Sequence, residues 1–174
     1  MNRVTIKAEE TPLPPWTGEA NRYILKVLEA LRKDNWDLSV LLCTDPCIRA
    51  LNARYRNRDE ATDVLSFSLG DYFRDGGGEE RFLPGDIVVS LETLAENARY
   101  FKVSEDEELR RLLIHGILHL AGMDHVTNEA AEPMLVLQEK LLAEFAGERI
   151  LGETPVFPQG AGSVKPRDAV LELP

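Results

Sequence analysis

Apolar residues recur at Ala20, Tyr23, Ile24, Val27, Leu28 and Leu31, the three- and four-residue steps of one helical face, and predict a helix over about residues 18–33. Before it, weak alternation over 3–8 predicts a first strand, which the prolines at 12, 14 and 15 bring to a halt. The run from Leu38 to Cys43 reads as a buried strand. Asp45 then stands where it caps a short helix, with Pro46 at the first helical position and an end near residue 55. Strands are predicted again over 64–69 and 86–90. Between them, residues 70–84 hold Gly76, Gly77, Gly78 and several charges, and predict a mobile surface loop. Ser90 caps a helix over about 91–101, and Ser104 with Glu107 forms a capping-box pattern that opens the next one. A last helix spans about 129–145, with Pro133 tolerable in its first turn.

This order predicts an α+β (or α/β) fold: a single domain over 1–150 with a small mixed sheet of about four strands and helices packed on it. Residues 151–174 form a tail with prolines at 155, 158, 166 and 174 and glycines at 160 and 162, expected to be irregular. At 174 residues the chain is long enough to bury a core without staples, and 44% hydrophobic with 29% charged residues is ordinary for a globular protein. The N-terminus has no apolar run of signal-peptide length, and no stretch approaches 18 consecutive apolar residues, so a cytoplasmic location and no membrane partner are expected. Cys43 and Cys47 read as free thiols without an assigned function.

All three histidines of the chain lie in eleven residues, His115-Gly116-Ile117-Leu118-His119-Leu120-Ala121-Gly122-Met123-Asp124-His125. On a helix, His115 and His119 are i and i+4, on one face, with Cβ atoms about 5–6 Å apart, a gap that suits one shared ion. His125 joins them only if the chain turns back, and Gly122 supplies a residue that reaches the left-handed conformation without a Cβ penalty. Three imidazoles with no thiolate nearby leave a coordination position open, the catalytic pattern for zinc. Imidazole also suits nickel, copper and iron, so the donor set alone leaves the metal open.

Zinc peptidases with this spacing carry a glutamate general base after the first histidine. Here that residue is Gly116, so peptide hydrolysis needs a base from elsewhere. A bound ion alone still lowers the pKa of water from 15.7 to about 7, and phosphodiester hydrolysis needs in addition a cation for the charge that builds on phosphorus.

That cation is available in a second segment, from Leu51 to Phe67, which contains Arg54, Tyr55, Arg56, Asn57 and Arg58 and then Thr62, Asp63, Val64, Leu65 and Ser66. The two segments resemble the signatures of the YbeY-type single-strand endoribonucleases, bacterial ribosomal-RNA maturation factors, and the segment from Leu83 to Ser90 resembles a third. The resemblance covers roughly residues 20–147. It implies that His115, His119 and His125 bind one zinc ion, that Arg56 is catalytic, and that the protein acts in small-subunit ribosomal RNA processing and ribosome quality control. Met123 stands where an aromatic is common and Ser68 where proline is usual; neither change removes a ligand.

Two other readings use the same residues: a zinc peptidase or amidase, and a ribosome-associated binding module whose metal only braces the fold. The net charge of −10 bears on all of them, because a protein that grips RNA mainly by counterion release is expected to be basic. Either Arg49, Arg54, Arg56, Arg58, Arg110 and Arg111 form a local basic patch, or they pair with the surplus carboxylates. Non-specific RNA affinity is therefore expected to be modest, with targeting through a ribosomal particle or a ribosome-associated protein. Asp124 and Asp86 are candidates to orient an imidazole, or are simple turn residues.

Overall fold

The computed structural model describes residues 1–152. Its elements run β1 (Arg3–Ala8), α1 (Thr17–Ala30), β2 (Asp37–Cys43), α2 (Asp45–Arg56), β3 (Val64–Arg74), β4 (Glu80–Ser90), α3 (Leu91–Phe101), α4 (Glu105–Leu120) and α5 (Pro133–Glu144). The four strands form one mixed sheet in the order β1-β2-β4-β3. β1 and β2, and β2 and β4, pair in parallel; β3 is the antiparallel edge strand. This is the α+β fold expected from the pattern. The expectation for the tail falls outside the described residues beyond 152.

Alternation along the strands divides the side chains between the two faces. Leu38, Val40, Leu42, Val64, Ile87 and Val89 enter the larger core with α1, α4 and α5, while Cys43, Leu65 and Val88 meet Ile48 of α2 on the other face. Helix α1 buries Ala20, Tyr23, Ile24, Val27 and Leu28, the stripe its periodicity marks out. Each such aliphatic side chain stabilises the fold by about 1.5–3 kcal/mol. Helix α4 has no solvent face of that kind: thirteen of its sixteen residues are buried, so it is the central beam against which the sheet, α3 and α5 pack.

Three local expectations are corrected. Residues 70–84 are not a loop: they complete a long β3–β4 hairpin, with a register shift between Ser68 and Asp71 and a turn in which Asp75 accepts from Gly77 N and Glu79 N at 2.9 and 3.1 Å. Its anchor is Arg81, 1% exposed, whose Nε donates to Asp37 Oδ1 at 2.8 Å, a charge pairing that hydrophobic patterning does not reveal. The N-cap of α2 is Thr44, not Asp45; the Asp45 carboxylate instead accepts from the hydroxyls of Ser90 and Thr93 at the start of α3. Helix α5 starts at Pro133, where the missing N–H costs nothing, rather than at 129. Ser90 and Ser104 cap as expected, accepting from Thr93 N and Glu107 N. The Glu107 side chain turns to Arg111 instead.

Candidate metal centre

His115 and His119 sit on the last turns of α4, and the helix ends where the sequence places its stop. Gly122 adopts φ 85°, Gly122 N donates to His119 O at 2.9 Å and Met123 N to Leu118 O at 3.0 Å, the two crossed bonds of a Schellman turn. The reversal brings His125 onto the other two rings. Ring centroids are 4.8 Å apart for His115 and His119, 5.2 Å for His115 and His125, and 5.4 Å for His119 and His125. One donor nitrogen from each lies within 4.8 Å of the others.

Hydrogen bonds orient two of the rings. A backbone carbonyl only accepts, so His125 Nδ1–H donates to Thr127 O at 2.9 Å, leaving Nε2 as a lone pair that is buried without a protein partner. His115 Nδ1 lies 2.7 Å from Gln138 Oε1, and the Gln138 amide is itself oriented because its Nε2 donates to Glu139 Oε1 at 3.0 Å. Glu139 in turn accepts from Arg111 Nε at 2.9 Å. The His115 proton therefore sits on Nδ1, and its Nε2 lone pair faces His119 Nε2 at 3.2 Å. Burial pushes the His119 imidazole down to about 4, with the charges of His125 and Arg56 adding to the depression and Asp124 opposing it. At neutral pH the ring is uncharged, as a metal ligand must be. The orphaned buried nitrogen of His125, converging with nitrogens of His115 and of the uncharged His119, fits a divalent cation of the zinc type.

Gly116 explains the missing glutamate. A Cβ there would lie 2.9 Å from both Cδ1 and Cγ2 of Ile87, which is fully buried in β4. This position faces the sheet rather than the open side of the cluster, so no side chain on it serves as a base.

Arg56 closes α2 on one face of the sheet, and its Nη2 donates to Ser66 O at 3.1 Å on the edge strand β3. Its positive charge is one of the lesser causes that lower the His119 pKa. The other candidate arginines divide. Arg49 makes a two-pronged pair with Asp59 at 2.7 and 2.9 Å. Arg110 and Arg111 are buried and paired, the first with Asp106 and the second with Glu107, Glu108 and Glu139. They are fold residues, not a nucleic-acid patch. Arg54 and Arg58 remain exposed beside Arg56, with Arg54 5.2 Å from the Tyr55 ring.

Asp124 accepts from His125 N at 2.8 Å and stands 3.8 Å from His119 Nδ1, too far for a hydrogen bond. Asp86 is exposed, in register with Ser39 and Phe67, and has no bond to the histidines. Gln138 is the residue sequence reasoning missed. Its signal was a lone polar side chain on the buried stripe of α5, four residues after Met134 and three before Leu141. Gln138→Leu is expected to lower metal affinity about 10–100-fold, read by competition with a chromophoric chelator; unchanged affinity would show that His115 needs no such orientation.

The family model described as Endoribonuclease YbeY matches residues 4–146. The chain belongs to the endoribonuclease YbeY family. An Endoribonuclease YbeY of Treponema pallidum is 46% identical over 144 residues, covering 83% of this chain and 90% of that protein. One from Treponema denticola is 50% identical over 128 residues, covering 74% and 83%. The solution structure of a Thermotoga maritima protein is 30% identical, with a TM-score of 0.59 over 85% of this chain and 91% of the other. The YbeY family's role is in ribosomal RNA maturation, in agreement with the motif resemblance. Among the described residues no helix is long and apolar enough to cross a membrane.

Proposed function

We propose that the protein is a zinc-dependent, single-strand-specific endoribonuclease acting in small-subunit ribosomal RNA maturation and ribosome quality control. In this reading His115, His119 and His125 hold one ion per chain and Arg56 is the catalytic group on the substrate phosphate. The observation that carries it is the convergence of three imidazoles on one point, in a chain of the YbeY family that also carries Arg56. We take residues 1–150 as the nuclease unit, 151–174 as a separate tail, and the cytoplasm, where ribosomal RNA is matured, as the place of action.

A bound divalent ion supplies Lewis acidity toward a phosphoryl oxygen and lowers the pKa of water into the neutral range. The protein contributes the rest. Gln138 and the Thr127 carbonyl hold the Nδ1 protons of His115 and His125, so that both rings offer their Nε2 atoms without a rotational search. The Ser66 carbonyl steadies one corner of the Arg56 guanidinium, whose charge is independent of working pH and meets the negative charge that grows on the phosphate oxygens. Gly116 removes the peptidase base and so favours a substrate that needs none at that position. With a net charge of −10, the chain relies on a ribosomal particle or a ribosome-associated protein for targeting.

The test is chelation of the purified protein. Cleavage of a single-stranded ribosomal RNA segment is expected to stop while the far-ultraviolet helix signal persists, because the core is built without the ion. Elemental analysis is expected to return one zinc per chain. Unfolding on chelation, together with intact RNA at every protein concentration, would instead establish a metal that only braces the fold.

A further inference from the structure

The turn that joins His119 to His125 has a second side. Leu120, Ala121 and Gly122 form one wall of a cavity of about 530 Å³ whose opposite wall is built from the β3–β4 hairpin and the segment after α1. Gly122 is three residues from each flanking histidine, hence at most about 11 Å from either along the chain. One wall of the cavity is therefore part of the same turn that positions the metal centre.

The hairpin wall is aromatic. Phe82 lies at its centre, with the Trp36 ring 5.4 Å away and tilted 53° and the Tyr72 ring 4.9 Å away and tilted 48°. Tyr72 and Phe82 are register partners across the hairpin, and Phe82 N donates to Asn35 O at 2.8 Å, so the rings are held on backbone hydrogen bonds rather than on a free loop. Trp36 is buried, but Tyr72 is 69% exposed, a large ring spread in solvent on a rigid base. Lys33 Nζ stands 5.3 Å from the Trp36 ring at the rim. Each of the two acids of the lining has a cation nearby: the N-terminal ammonium stands 2.9 Å from Asp34, and Arg74 stands 4.0 Å from Glu80. The cavity thus combines an exposed π-surface with a cation, and each of its two acids has a counter-charge beside it, features that suit an unpaired base and its phosphate.

We propose that this cavity is a nucleobase-stacking subsite for single-stranded RNA, with Tyr72 as the platform and Lys33 meeting the adjoining phosphate. The proposal rests on the nuclease reading above and adds to it how an acidic protein selects unpaired over paired RNA: a base held in a duplex cannot lie on Tyr72.

The test uses the metal-loaded full chain and a short single-stranded oligoribonucleotide containing one cleavable bond, intact or with a single abasic position next to that bond. Tyr72→Ala is expected to raise KM about five- to a hundredfold with kcat little changed, and Tyr72→Phe to restore it. Leu69→Ala, which removes another exposed apolar side chain of the same strand outside the cavity, is expected to leave KM alone. In the parent protein the abasic position nearest the subsite weakens binding, and in Tyr72→Ala it does so no further. An unchanged KM in Tyr72→Ala, or an abasic penalty identical in both proteins, overturns the subsite and leaves the ring a hairpin brace or a contact for a protein partner. Should the parent protein cut no RNA at all, the nuclease reading falls separately. The subsite is then decided by fluorescence of Trp36 in a Trp16→Phe background, where quenching by the same oligonucleotide supports it and no quenching overturns it.

Discussion

Arg56→Ala is expected to keep its metal and lose cleavage, whereas His119→Ala loses both. Removing a single donor that stabilises developing charge costs about 10²–10³ in rate, and the bond Arg56 makes to the Ser66 carbonyl lies on β3, away from the three histidines that would hold the ion. His119 is 1% exposed and its ring lies 4.8 and 5.4 Å from the other two, so its loss leaves only two of the three donors. Arg56→Lys retains the charge without the planar pair of donors and is expected to fall between parent and alanine. Metal content by elemental analysis beside a gel assay of RNA cleavage separates the roles. An Arg56→Ala protein that comes out metal-free would remove the arginine from the chemistry.

The largest loss of stability is expected from Asp106→Ala. Asp106 is 2% exposed; one oxygen accepts from Arg110 Nε at 2.9 Å, and the other from the backbone amides of Ile150 and Leu151 at 2.7 and 2.8 Å. Truncation leaves the buried Arg110 guanidinium without its carboxylate and releases the segment after α5 from the start of α4. Breaking a buried pair in this way costs about 3–5 kcal/mol. For a chain of this size that corresponds to a fall in Tm of about 6–20 °C. Urea denaturation of parent and variant measures it; a loss below about 1 kcal/mol would show that water replaces the carboxylate. Asp106→Asn, which can still accept from one amide, is expected to lose less.

Much of the fold is legible because its signals are local. The α1 stripe, the Ser90 and Ser104 caps and the Gly122 stop each lie within a few residues of what they determine, and all appear where expected. The histidine cluster is legible for the same reason: an i, i+4 pair, a left-handed glycine and a third ring leave the chain little choice of geometry. What escapes is set by partners distant in sequence. The hairpin over 70–84 reads as a loop because its glycines mark only the tip, while its anchor, Arg81 on Asp37, spans 44 residues. Gln138 finds His115 across 23 residues, and Arg111 finds Glu139 across 28. The pairing of Arg110 with Asp106 and of Arg111 with Glu107 is the exception, since both are i, i+4 and a count of opposite charges at that spacing separates them from free surface arginines.

The direction of α4 has a consequence of its own. Its first turn carries Glu105, Asp106, Glu107 and Glu108, and its histidines stand at the other end. The peptide dipoles of the helix sum to about half a negative charge at that C-terminal end, an attraction for cations of about 0.3–1 kcal/mol at an exposed site and up to about 2 where partly buried. A divalent ion there sits in the field that suits it, but an incoming phosphate meets a field of the wrong sign. On the proposed reading, reversing that local sign for the substrate would fall to the ion together with the guanidinium of Arg56, so phosphate affinity and metal occupancy are expected to rise and fall together.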